Sequence, residues 1–165
     1  GMLMDTLADM RDAGKSIDEV HDWAEANKNR VQHWFTATDL TYLIRGGRVS
    51  KASGFVGTML NICPVLCVAP DGTLKAVQKV RTKKKVLEAL VNKVLENVEN
   101  GAEYEDKCYV GHSACEEDAK TLIGMIEEKL PHLKGKVVLG NIGTVIGSHT
   151  GPGTVVVCFF GKERV

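Results

Sequence analysis

The chain has 165 residues, enough for one domain with a substantial core, and its 21 Lys and Arg balance its 21 Asp and Glu. That neutrality removes the electrostatic case for nucleic acid or an anionic membrane surface. No apolar run approaches the roughly 18 residues of a membrane-spanning helix, and Asp5, Asp9, Arg11 and Asp12 interrupt the N-terminus where a secretory leader would be apolar. Gly1 before Met2 reads as a tag-cleavage scar. Five cysteines, Cys63, Cys67, Cys108, Cys115 and Cys158, are an odd number set mostly in apolar runs. This suits buried thiols in a reducing, cytoplasmic compartment. Cys63 and Cys67 would share a strand face at too wide a spacing for a metal bite. Cys108, His112 and Cys115 lack a fourth ligand at suitable spacing, so no metal site is expected.

In chain order, Leu3, Leu7 and Met10 predict a short amphipathic helix over 3–12 that ends near Gly14. Ser16 and Glu19 form a capping box, in which the serine accepts from the third amide and the glutamate reaches back. The helix they open carries Ile17, Val20, Trp23 and Ala24 on its apolar side. Val31 to Thr36 reads as the first strand. Thr38 or Asp39 caps a third, short helix with Leu40, Leu43 and Ile44. Arg45-Gly46-Gly47-Arg48 stops it and leaves two guanidiniums beside a turn, either as an anion or partner contact or as solvated charges. Ala52 to Asn61 has helical spacing and unusually little charge, which makes it deep core or the wall of a greasy cavity.

Ile62 to Ala69 reads as a buried strand. Pro70-Asp71-Gly72 is a turn, and Leu74 to Val80 returns as the hairpin partner. The longest helix starts at Arg81 and the cations Lys83, Lys84 and Lys85, and Asn100-Gly101 ends it. Cations at a helix N-terminus oppose the macrodipole, so an anionic neighbour or a docking partner is one reading and a solvated first turn the other. Lys107 to His112 is a strand. Ser113 and Glu116 predict a second capping box, and Pro131 stops the helix that follows. Lys136 to Ile142 and Thr154 to Phe160 are the last strands. Strands alternating with helices, and hairpins among them, predict an α/β fold on a mixed sheet of about six strands.

Between those last strands four glycines, Gly143, Gly147, Gly151 and Gly153, fall within eleven residues. Such a stretch can aim backbone N–H groups at one anionic oxygen. Ser148, His149 and Thr150 add side-chain donors. It is either a small carboxylate or phosphate pocket or a tight strand-to-strand turn with a satisfied histidine. An enzyme using His149 as base or nucleophile is a further alternative. Against it, no lysine lies in a P-loop arrangement, and neither a serine elbow nor a carboxylate pair accompanies the histidine.

The run Phe35-Thr36-Ala37-Thr38-Asp39-Leu40-Thr41-Tyr42-Leu43-Ile44-Arg45-Gly46-Gly47-Arg48-Val49-Ser50 resembles the central signature of the DegV family. Gly57 through Leu60-Asn61-Ile62 to Pro64-Val65-Leu66 continues the likeness, as does Val80-Arg81 with its lysine run. Ile142-Gly143 and Ile146-Gly147-Ser148-His149-Thr150-Gly151-Pro152-Gly153 are similar to its C-terminal signature. The resemblance implies a bacterial, non-catalytic, cytoplasmic protein that holds a long-chain fatty acid. Its carboxylate is presented to a dihydroxyacetone-kinase-like fatty-acid kinase that makes the acyl phosphate. No cofactor is implied. Residues 1–30 then lead into a C-terminal lobe over 31–165, and the family's N-terminal lobe is absent, as in a fragment.

On this reading His149 is the head-group donor. Ser148, Thr150 and the amides of Gly151 and Gly153 support it, with Arg45 and Arg48 nearby. Phe55, Met59 and Ile62 flank the acyl chain, and Arg81, Lys83, Lys84 and Lys85 dock the partner. With one lobe absent the site is incomplete, and weak or no acyl binding by this chain alone is expected. The alternative function is an interaction module that docks a kinase or self-associates, a homodimer included, without binding lipid.

Overall fold

A computed structural model describes residues 1–49 and 62–164. Among these residues the elements are α1 (Met2–Asp12), α2 (Ile17–Asn27), β1 (Val31–Thr36), α3 (Thr41–Arg45), β2 (Ile62–Val68), β3 (Leu74–Arg81), α4 (Lys83–Asn97), β4 (Cys108–Ser113), α5 (Glu116–Lys129), β5 (Val138–Asn141), α6 (Thr144–Thr150) and β6 (Thr154–Phe160). One six-stranded sheet runs in the order β3-β2-β1-β6-β4-β5. Every neighbouring pair is antiparallel except β4 and β5, which are parallel. The mixed α/β sheet is therefore the architecture the alternation predicts. The expected helix over Ala52–Asn61 lies outside the described residues.

Alternation along the strands separates two faces. Val155, Val157 and Phe159 of β6 and Val110 of β4 are fully buried against α4 and α5. Helix α4 supplies Val86, Leu90 and Val94 at helical spacing, and α5 supplies Ala119, Leu122 and Ile126. The opposite face carries His33 and Phe35 of β1 and Val156 and Cys158 of β6, paired His33 to Cys158 and Phe35 to Val156. That face is covered piecemeal. Leu43 of α3 joins Phe35 and Leu66 in a small second cluster. At the other end Met2, Val31 and Phe160 form a third, with Trp23 edge-on to Phe160.

Local signals fare unevenly. The Ser16–Glu19 capping box forms as predicted: the Glu19 amide donates to Ser16 Oγ at 3.2 Å and the Ser16 amide to the Glu19 carboxylate at 2.9 Å. The Lys15 ammonium and the Ser16 donors hold the Glu19 carboxyl down to about 2. The second predicted box does not form. Ser113 is the last residue of β4, Ala114 takes a positive φ, and α5 begins at Glu116 after Cys115 with no side-chain cap. The chain turns too sharply there for a serine to reach the third amide. Asp39 does engage the start of α3, accepting from the Thr41 amide at 2.8 Å. At the start of α4 the anionic neighbour is found inside the chain: Lys83 pairs with Asp118 of α5 at 2.8 Å.

Candidate functional site

The open face of the sheet is the floor of a cavity of about 480 Å³. Among the described residues β1 contributes His33 and Phe35, and β6 contributes Thr154, Val156 and Cys158. Val68, Gly72 and Leu74 close one side at the β2–β3 turn, and Ile142 and Ile146 close the other. Leu43, Arg48, His149 and Thr150 complete it. The lining is mostly aliphatic or aromatic, with its charge-bearing groups confined to Arg48 and the histidines. That is the composition of a site for an apolar ligand with one polar end.

His149 is part of this lining. It sits in the last turn of α6, and Gly46, which follows α3, lies directly against its ring. A Cβ at position 46 would stand inside contact distance of Nδ1, 3.2 Å from Cε1 and 3.3 Å from Cγ. Gly46 is thus a seat for the imidazole. Arg48, two residues further on, is exposed and lines the same cavity. His149 and Arg48 thus share one cavity lining, whereas Arg45 is exposed on α3 and outside it.

The stretch read as a loop of free amides is a helix. Thr144–Thr150 is α6, in which the Gly147 amide donates to Gly143 O and the Gly151 amide to Gly147 O, both at 2.8 Å. The Gly153 amide donates to Ser113 O at 2.7 Å. Ser148 Oγ donates to Val145 O at 2.8 Å, and Thr150 Oγ1 to Ile146 O at 3.1 Å. These donors are committed within the fold and form no anion nest. The glycines serve packing and backbone conformation instead. Gly151 takes φ +77° and abuts the Tyr42 ring; Gly153 takes φ +80° and abuts Thr38. Both φ values lie where a side chain is strained.

Ile62 is half-buried at the start of β2, opposite Arg81, and is not part of the lining. Phe55 and Met59 lie outside the described residues. Arg81, Lys84 and Lys85 are exposed around the start of α4. Sequence reasoning missed the floor residues His33, Val156 and Cys158. Their signal was a histidine within β1 and a cysteine within the apolar run of β6. Burial, with the Arg164 charge second, pulls the His33 pKa down; burial pushes the Cys158 thiol up to about 12. Both are therefore neutral near pH 7. No group of three or more His, Cys, Asp or Glu residues is placed to hold a metal among the described residues.

The family model described as "Uncharacterised protein, DegV family" matches residues 1–162. A DegV domain-containing protein of Clostridium perfringens is 42% identical over 164 residues, covering 99% of this chain and 55% of that protein. A fatty acid binding DegV family protein from Streptococcus agalactiae superimposes with a TM-score of 0.82 at 27% identity, covering 98% of this chain and 55% of that one. A likeness of fold extends to the Streptococcus pneumoniae fatty acid kinase B3 protein, solved loaded with linoleic acid. Its TM-score is 0.80 at 24% identity, with 97% of this chain and 55% of that one covered. The chain thus spans about half the length of the relatives it matches. With its sequence, sheet and helices all accounted for by one family, this chain belongs to the DegV family.

Proposed function

We propose that this chain binds the hydrocarbon tail of a long-chain fatty acid and presents the carboxylate, beside His149 and Arg48, to a fatty-acid kinase. The observation that carries the reading is the cavity itself: a largely apolar hollow of about 480 Å³ whose lining includes the His149 imidazole and the Arg48 guanidinium. Each methylene buried there contributes about 0.8 kcal/mol, so a long tail binds through few polar contacts. The guanidinium supplies a charge-assisted partner for a carboxylate. Among the described lining residues none is a carboxylate, which supports a binding role for His149 over that of a general base in a triad. The protein is on this reading a carrier, and phosphoryl transfer belongs to the partner. The kinase partnership rests on the DegV resemblance, with the exposed Arg81, Lys84 and Lys85 as its docking charges.

The site in this chain alone is incomplete. The donors predicted in α6 are used internally, and the relatives are nearly twice as long. Further head-group contacts are assigned to the remaining half of such proteins, the N-terminal lobe. Native mass spectrometry and titration with palmitic acid test both parts. Weak binding that falls further in His149→Ala is expected. Binding that His149→Ala leaves unchanged overturns the placement of the head group, and a stoichiometric acid retained through purification overturns the incompleteness.

A second reading is favoured by one observation. Met4 and Ile17, 65% and 85% exposed, line an apolar groove between α1 and α2 together with Leu7 and Val20. Exposed patches of this kind mark association surfaces, so a homodimer through this face is the alternative. Light scattering of the purified chain distinguishes it from a monomer.

A further inference from the structure

The acyl-carrier reading leaves open where the tail ends. A second hollow of about 420 Å³ lies against the same sheet face, lined by Met2, Leu3 and Met4 of α1 together with Val31, Tyr109 and Arg164. His33 and Cys158 line both hollows. They are direct cross-strand partners on β1 and β6, and Cys158 is in turn the partner of Tyr109 on β4. Side chains so paired stand about 5 Å apart. The two spaces therefore meet over a single row of the sheet.

The sheet supplies a ruler. His149 and Thr154 line the same cavity and are separated by the short turn after α6, so the head group sits at the Thr154 end of β6. From Thr154 to Cys158 the strand advances about 14 Å at roughly 3.4 Å per residue. A staggered hydrocarbon built on bonds of about 1.5 Å advances about 1.3 Å per carbon, so roughly eleven carbons span that length. A longer straight tail has to pass over the His33–Cys158 row and enter the second hollow. We propose that His33 and Cys158 form the constriction that sets acyl chain length, with the second hollow taking the end of chains longer than about a dozen carbons.

The chemistry of the pair suits the task. Burial keeps the imidazole and the thiol neutral, so neither repels a hydrocarbon as an ion would. The cysteine is small, and both residues are only partly buried, their remaining surface facing the hollows. His33 Nδ1 makes no hydrogen bond.

The test is an affinity profile over saturated acids from decanoic to eicosanoic, measured by titration on the wild-type chain, Cys158→Phe and His33→Ala. Each is checked for folding by its melt. Cys158→Phe weakens palmitic acid relative to decanoic acid by about fourfold per excluded methylene, on the order of two hundredfold for four. His33→Ala shifts preference toward longer chains. If the ring at 158 prevents folding, Cys158→Leu narrows the same row and carries the same expectation. Folded variants whose profiles run parallel to the wild type overturn the constriction while leaving the carrier reading intact. A wild-type chain that binds none of these acids overturns the constriction in this chain, an outcome distinct from the parallel profiles that overturn it while binding persists.

Discussion

Gly46→Ala separates the site from the fold. Gly46 has φ −75° and ψ −1°, right-handed helical values that alanine adopts without strain. Removing a glycine from the unfolded ensemble at such a position stabilises by about 0.4–1 kcal/mol. The new methyl, however, lands on His149. Carbon and nitrogen at rest stand about 3.5 Å apart, so the imidazole must retreat by roughly 1 Å. A hydrogen bond of about 2.9 Å to a ligand carboxylate then stretches beyond bonding range. The loss of one such charged bond is about 1.5–3 kcal/mol, or about ten- to a hundredfold in affinity. We predict that Gly46→Ala weakens palmitic acid binding by that factor while its melting temperature stays within about 4 °C of wild type. Titration and a thermal melt on the same sample measure both. A folded variant that binds palmitic acid as tightly as wild type would refute the placement of the head group at His149.

Three further expectations concern the scaffold. Leu90 is fully buried between α4 and the sheet, so Leu90→Ala should cost about 2–5 kcal/mol by denaturant titration, whereas Ile17→Ala, at a position 85% exposed, should stay within about 0.5 kcal/mol; equal effects would overturn the assignment of the core. Ser16→Ala removes the capping box and should destabilise the start of α2 by about 1 kcal/mol. Since α2 buries no residue completely, the effect is expected in amide exchange of Ile17–Glu19 before it is visible in the global melt. Finally, Lys107 and Tyr109 both bond Asp5 of α1, and Lys107 also bonds Asp9. The Lys107 ammonium, then the Tyr109 hydroxyl, hold the Asp5 carboxyl below its usual range. A depressed carboxylate contributes stability that is present above its unfolded value near 4 and lost as pH falls through the folded one. α1 should therefore detach below about pH 4, read as Trp23 fluorescence against pH, and Asp5→Asn should flatten that acid limb. An unchanged limb in the variant would show that Asp5 is not its source.

The sheet was legible in the sequence because its strands are strongly patterned. Val31–Thr36 and Thr154–Phe160 fall on β1 and β6 residue for residue. Alternation and β-branched content leave little room for another reading there. The site was less legible for two physical reasons. Gly143 to Thr150 has poor intrinsic helix propensity, yet α6 forms because its residues dock on α3, His149 against Gly46, with Gly151 closing on Tyr42. That is a tertiary effect invisible to local pattern. The cavity floor, in turn, is written in the register. Which of His33, Trp34 and Phe35 face the hollow follows from the opposite face packing on α4. Hydropathy alone does not choose between them. The lysine run at α4 shows a third limit: the anion that answers Lys83 is Asp118, distant in sequence.

The placement of β6 has a consequence for biosynthesis. β6, the last strand among the described residues, lies in the middle of the sheet, hydrogen-bonded to β1 on one side and β4 on the other. Until β6 has been made, β1 with β2 and β3, and β4 with β5, are two separate half-sheets, each with a bare edge. Such edges invite pairing with other chains, and pairings so distant along the polypeptide are slow to close. This sheet can close only once β6 is in place. Without β6 it is two half-sheets with sticky edges rather than a smaller version of the same sheet.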